Sequence, residues 1–452
     1  VDAADLDHRA RTQSGCIPPD LVSRLLAFGH AATVEAWARR GEWFCAREWA
    51  RLLGERDRQA DALEVLAPYV ETGWWTAVRS TAELLESWGR ADEAIALSRA
   101  RMEAGHPMAL EFHARLLARH GRGDEAFDLA RPCIDDWSVA TALVDVAESA
   151  GRDEEAAELL AARIPADHRC DSPWCCRGLD ADTAISLLAT VRERQGRVDE
   201  AVTLLRTRSI TSVNGRDQLA DLLARHDRIE ELRAYAASET LGDALRCLAE
   251  VLERRGDIEG AISAYRKQGD CSSAHGPDIA YALAQLLARH GRGDEAIDVM
   301  RAQAETYNGD DWILHALAGL YLAQGRAEEG LTHLDALAGA RKGKEEWDLY
   351  WIRLPLMAAC YGTDEAVARA RSHPEAGTAY AAEPIAELYA DAGRIEEAVA
   401  VLESQAAVHR RPLAGYLIEL GRVEDAVTVL KAPVANPPVQ WGAPGHHDEP
   451  PF

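Results

Sequence analysis

One short pattern constrains this chain more than any other feature. Gly89-Arg90-Ala91-Asp92-Glu93-Ala94 recurs with small changes at Gly121, Gly151, Gly196, Gly291, Gly393 and Gly421, and weaker copies begin at Gly41, Asp57, Asp227, Gly256, Gly325 and Gly362. From Asp57 to Gly421 the spacing averages about 33 residues, the period of an architecture built from stacked supersecondary units. The interval from Gly151 to Gly196 is longer and carries an insertion, read as residues 167–180.

The residues around each copy say what the unit is. Upstream of Gly291, Ile279, Leu283, Leu286 and Leu287 recur at helical spacing, which predicts a helix A. Arg289 and His290 sit in its last turn, favourable beside the negative end of the macrodipole, and Gly291 supplies the left-handed residue that closes it. Asp294, as N-cap, and Glu295 then open a helix B through Ala296, Ile297, Val299 and Met300. With about three residues between them, the two helices must fold back as a hairpin. Seven positions before the anchor a small residue repeats (Ala50, Ala82, Ala114, Ala189, Ala220, Ala249, Ala284, Ala318, Ala386, Ala414), and a leucine commonly lies four before it. A lone hairpin cannot bury its apolar face, so successive copies must stack.

The unit resembles a tetratricopeptide repeat: the family's small residue in helix A, closing Gly, acidic pair and Ala in helix B fall on Ala284, Gly291, Asp294-Glu295 and Ala296. The match runs over roughly residues 24–432. It departs from the family pattern where the Pro ending helix B is mostly missing and where Pro355 falls inside the expected helix A before Gly362. The resemblance implies an all-α solenoid, a right-handed superhelix of about twelve antiparallel hairpins, whose helices A line a concave, ligand-carrying face. Residues 1–20 are expected as a flexible lead-in, 21–432 as the solenoid, and the Pro-rich 433–452 as a disordered tail. The charged stretch from Ala340 to Glu346 reads as a long loop between repeats.

Charge narrows the function. Lysine plus arginine number 50 against 75 aspartate plus glutamate, a net −25, which repels phosphate backbones and anionic lipid surfaces. The RNA-binding pentatricopeptide repeats, with a similar period, are disfavoured on that ground, and no nucleic-acid partner is expected. No run of 18 apolar residues and no apolar leader core appear, so no membrane insertion and a cytoplasmic location are expected. The excess of arginine over lysine and the abundance of alanine point to a bacterial source. Nine scattered cysteines do not form a secreted disulfide framework, and most read as small buried residues.

Four constellations invite a sharper reading. His168, Cys170, Cys175 and Cys176 could hold zinc in principle, but the spacing lacks a Cys-x₂₋₄-Cys knuckle, and an ordered loop around Trp174 is the expectation. Arg122-Gly123-Asp124 and Arg292-Gly293-Asp294 spell an adhesion tripeptide, yet each lies in the hairpin turn, where Gly and Asp have structural tasks. Six of twelve tryptophans lie between 37 and 88 and serve either as core or as partner anchors, Trp74 and Trp75 among them. Carrying the family's concave positions over by offset places Arg47, Arg51, Arg79, Arg115 and Arg246 on the ligand face. There they either hold a carboxylate-bearing partner or pair with interleaved acids such as Glu83, Asp145, Asp221 and Glu250.

No phosphate-binding loop, zinc-protease helix or nucleophile elbow is present. The sequence therefore predicts a non-enzymatic scaffold for a protein or peptide, without cofactor or catalytic residues. The alternative is a peptide- or ligand-sensing regulatory module of a larger signalling protein, since a chain opening on Val1 leaves room for an upstream effector. An enzyme site in the 167–180 insertion is the third class.

Overall fold

The computed structural model describes residues 2–13, 15–164, 179–208, 212–213, 216–239, 241–268, 276–306, 311–340 and 346–432. The Cys170, Cys175 and Cys176 insertion, most of the 340–346 stretch and the tail from 433 lie outside them. Helices follow one another in chain order: α1 Ala3–Thr12, α2 Pro19–Ala27, α3 Ala31–Arg39, α4 Trp43–Glu55, α5 Gln59–Glu71, α6 Trp75–Ser87, α7 Ala91–Glu103, α8 Ala109–Arg119, α9 Gly123–Ala130, α10 Trp137–Ala150, α11 Asp153–Ala161, α12 Ala181–Arg194, α13 Val198–Leu205, α14 Gln218–Arg225 and α15 Ile229–Ala236. Then come α16 Asp243–Arg254, α17 Ile258–Gln268, α18 Gly276–Arg289, α19 Gly293–Thr306, α20 Asp311–Ala323, α21 Ala327–Ala340, α22 Trp347–Tyr350, α23 Leu354–Tyr361, α24 Thr363–Ser372, α25 Ala379–Asp391, α26 Ile395–Glu403, α27 Arg410–Glu419 and α28 Val423–Lys431. Two-residue strands at Ser212–Val213 and Arg216–Asp217 form a short ladder before α14. The chain is an all-α solenoid of helix hairpins.

Hairpin α18–α19 shows how the repeat builds itself. Ile279, Leu283, Leu286 and Leu287 are all buried, as their spacing predicts, and so are Ala296, Ile297 and Met300 of α19, which packs on α18. Gly291 takes φ +73°, and the Arg292 N–H turns back to Leu287 O at 2.9 Å, closing α18 with a left-handed residue. Asp57 and Asp227, which replace Gly at two anchors, also adopt positive φ, a conformation short polar side chains tolerate. The expected N-cap at Asp294 is corrected: α19 begins at Gly293, so Asp294 lies inside the first turn and its carboxylate pairs with Arg326. Side-chain caps do appear elsewhere: Asp136 accepts from Ser138 N–H at 2.8 Å and Asp180 from Thr183 N–H at 2.8 Å at helix-A starts, and Asp257 from Gly260 N–H at 2.9 Å at the start of α17. Pro355 does not break its helix, because α23 starts at Leu354 and a first-turn residue needs no helical N–H partner.

The chain divides into two compact units, residues 69–366 and residues 1–68 with 367–452. In the first of these, consecutive hairpins stack in chain order. All the mid-helix alanines named above are buried, and so are Ala94, Ala126, Ala156, Ala201, Ala261 and Ala296 in the facing helices. One pair shows that size is matched across this seam: Tyr321 fills the usual leucine slot, and Gly330 fills the usual alanine slot. A Cβ at Gly330 would stand 2.7 Å from the Tyr321 ring.

In the other unit the stacking order changes. α27 and α28 pack together, and α27 also packs on α2, which in turn meets α3 and α4. The last described hairpin thus takes the place a preceding repeat would occupy for the first. Residues read as a flexible lead-in carry a capped helix, with Asp2 accepting from Asp5 N–H at 2.9 Å, and Leu6, Cys16 and Ile17 are buried. The cysteine expectation is also modified: Cys16 and Cys45 are buried, Cys247 and Cys360 half-buried, and Cys133 exposed.

Candidate functional site

The A helices α16 and α18 flank an open cleft of about 380 Å³. Arg246, Glu250 and Glu253 recur at helical spacing along α16, and Ala282, Gln285, Leu286 and Arg289 along α18. Ala249 and Ala282 leave the space open, and the buried Tyr265 of α17 closes it from beneath. Burial, then the neighbouring Glu250 carboxylate, pushes the Tyr265 hydroxyl up to about 12, so it stays a neutral hydrogen-bonding group. One rim is pinned across the two hairpins. Arg289 donates to both Glu253 oxygens at 3.1 and 2.8 Å, and His290 Nε2 lies 2.8 Å from one of them.

Aromatic surface continues from the cleft along the A helices. Tyr281, one turn before Gln285, meets Trp312 of α20 edge to face at 6.2 Å, and the two remain 38% and 39% exposed. Farther on, His315 lies 4.2 Å from the Trp351 ring centroid, and burial lowers its basicity. Exposed aromatic edges beside donors and acceptors suit a partner side chain that is apolar at one end and polar at the other. Among the described residues no group of three or more His, Cys, Asp or Glu is arranged to hold a metal ion.

The candidate arginines are distributed along the repeats, and all five already hold carboxylates. Arg47 pairs with Glu48 at 3.0 Å; Arg51 with Glu48 at 3.0 Å and with Glu55. Arg79 pairs with Glu83 at 2.8 Å, Arg115 with Glu111 at 3.1 Å and Asp145 at 2.9 Å, and Arg246 with Asp243 at 2.7 Å. Of the five, Arg246 lines the cleft. Trp74 and Trp75 are only 3% and 8% exposed; Trp75 stacks on His106 at 5.0 Å and meets Phe112 edge to face. Their ring surface is spent on the repeat core.

Two features escaped the sequence reading. First, the Glu253 clip recurs: Glu86 receives Arg119 at 2.8 Å and His120 at 3.0 Å, and Glu193 receives Arg225 at 2.8 Å and His226 at 2.9 Å. The Arg119 hydrogen bond holds the Glu86 carboxyl below its ordinary range; at Glu193 burial opposes the same effect, but Arg225 and His226 prevail. The signal was legible as Ala-Arg-His before three anchors with Glu three positions before the preceding anchor. Second, Ser98 and His113 form a buried pair at 2.8 Å between α7 and α8, sealed from solvent and thus unsuited to catalysis.

The Arg-Gly-Asp tripeptides serve the packing. Arg122 pairs with Glu125, and Arg292 with Glu295 and Glu259. A Cβ at Gly123 would approach Ala150 N to 2.9 Å, so the absent side chain admits α10.

Comparison with known proteins yields likeness of structure only. No family model matches the chain, and no curated protein does. Among solved structures, that of Naa15/Naa10 bound to HypK-THB matches 85% of this chain and 69% of its own at 13% identity, with a TM-score of 0.40. A tetratricopeptide repeat protein from Parabacteroides merdae matches 56% of this chain and 96% of its own at 17% identity, with a TM-score of 0.23.

Proposed function

We propose that the chain is a non-enzymatic scaffold that seats a protein or peptide segment on its helix-A face, in the cleft between α16 and α18. The observation that carries this reading is an open cleft shared by two successive hairpins and continued by the exposed Tyr281–Trp312 pair. A partner lying across the A helices buries an apolar side chain against those rings while Gln285 and Arg246 meet its polar groups. The arginine stripe contributes by exchange: Arg246 releases Asp243 to take up a partner carboxylate, a trade that sharpens specificity more than affinity. The reading needs no cofactor, nucleic acid or membrane insertion, and places the protein in a bacterial cytoplasm.

The test compares three baits in a lysate of the native host: wild type, a cleft variant (Arg246→Ala, Tyr281→Ala, Trp312→Ala) and an outer variant (Asp298→Asn, Glu328→Gln). A protein retained by wild type and the outer variant but lost from the cleft variant supports the assignment. Identical retention by all three would remove it.

A further inference from the structure

The junction between α2 and α27 is joined by no short loop. Its two faces come from residues 395 apart, as the Arg24–Glu419 pair at 2.5 Å shows. Leu21, Val22 and Leu25 supply buried side chains on one side, and Leu413, Ala414 and Leu417 on the other; Gly415 leaves room beside Leu21 and Arg24. Charges alternate in opposite sense on the two faces. Asp20, Arg24 and Glu42 on the first side meet Arg411, Glu419 and Lys431 on the second. Arg411 grips Asp20 through two nitrogens at 3.0 and 2.6 Å. Glu42 is 3% exposed, accepts the Ile17 N–H at 3.4 Å and pairs with Lys431, whose Nζ also stands 4.3 Å from the Trp37 ring centroid. Lys431 is one of four lysines in the chain.

We propose that this junction is an exchangeable interface whose other occupant is a second copy of this chain, the first hairpins of one copy seating on the last hairpin of another. The two faces differ from each other and every copy carries both, so copies pair head to tail and two of them close reciprocally. The alternating charges favour this register, because a slip by one charged position sets like charges together. Glu42 is buried and Lys431 half-buried, so removing the facing lysine leaves a poorly solvated carboxylate without its cation until a matching face supplies one. Within one copy the faces are tethered, so the intramolecular contact prevails until it is mismatched.

Mismatch can be arranged so that only exchange cures it. Glu42→Lys sets two lysines face to face within its own copy, and Lys431→Glu sets two glutamates. In a mixture, each altered residue finds its complement on the other copy. The proteins are compared by light scattering on a sizing column and by amide exchange. Each variant alone is expected to stay monomeric and to lose at least tenfold protection in α2 and α27, while α18 and α19 keep theirs. Mixed one to one, after brief exposure to mild denaturant, they should give a species of twice the monomer mass with protection restored. The double variant Glu42→Lys/Lys431→Glu should return to a protected monomer. A mixture that stays monomeric with unprotected ends would overturn the proposal. So would single variants whose ends keep full protection, or whose α18 and α19 lose theirs too.

Discussion

Acidification should destabilise the chain through one buried imidazole. His113 is 1% exposed between α7 and α8, and burial, with Arg99 and Arg122 nearby and only Glu125 in opposition, lowers its pKa from 6.5 to about 4. The folded value lies below the unfolded one. Between them the unfolded chain carries the extra proton, so the contribution is intact above pH 6.5 and lost as pH falls toward 4. A shift of that size is worth about 3 kcal/mol in full, most of it gone by pH 4.5. His113→Asn keeps a polar partner for the Ser98 hydroxyl, whose distance to His113 Nδ1 is 2.8 Å, but cannot titrate. Urea unfolding followed by circular dichroism at pH 7.5 and 4.5 gives the comparison. The wild type should lose about 2–3 kcal/mol more than the variant over that interval. Equal losses would refute the assignment of this acid sensitivity to His113.

The remaining predictions concern the repeat itself. Glu253→Gln should cost about 1 kcal/mol, because Arg289 and His290 lose a shared anion, and the loss should shrink in high salt. The Arg289 hydrogen bond depresses the Glu253 carboxyl, so its contribution is present above the ordinary carboxylate range and disappears as pH falls through the depressed value; urea midpoints against pH check this. Gly291→Ala should cost about 1 kcal/mol from backbone strain alone, since φ is +73° and nothing lies within reach of the new methyl, whereas Gly291→Asn should cost less. Gly123 and Gly293 occupy one slot in identical surroundings of sequence, yet their alanine variants should differ. At Gly123 the methyl meets backbone of α10 and should cost about 1–3 kcal/mol, while at Gly293 it meets the movable Gln324 side chain and should cost less in thermal melts.

The fold was readable because its determinants are local and repeated: the leucine spacing in α18, the left-handed Gly291 and the small alanines reappear in copy after copy. What sequence could not place are side chains whose work lies in another hairpin. Asp294 looked like a cap because it precedes a helical run, but helix B starts one residue earlier and frees its carboxylate for Arg326. The arginines could be read either way from sequence: four of them pair with acids one to four residues off on their own helix, and only the Arg115–Asp145 pair, 30 residues apart, depends on how hairpins stack. The α2–α27 junction had no signature at all, because complementarity between distant faces has no period. The cleft was half visible: Arg246 followed from offset, whereas Tyr265 and the exposed Tyr281–Trp312 edge depend on how adjacent hairpins lean together.

Site-specific photocrosslinking in the native host tests the central claim most directly. A benzophenone side chain would replace Arg246, Tyr281 or Trp312 on the A helices, and Asp298 or Glu328 on the B helices, one at a time. A partner protein trapped from the A-helix positions and absent from the B-helix positions is the predicted result. A partner trapped from Asp298 or Glu328 alone would contradict the account.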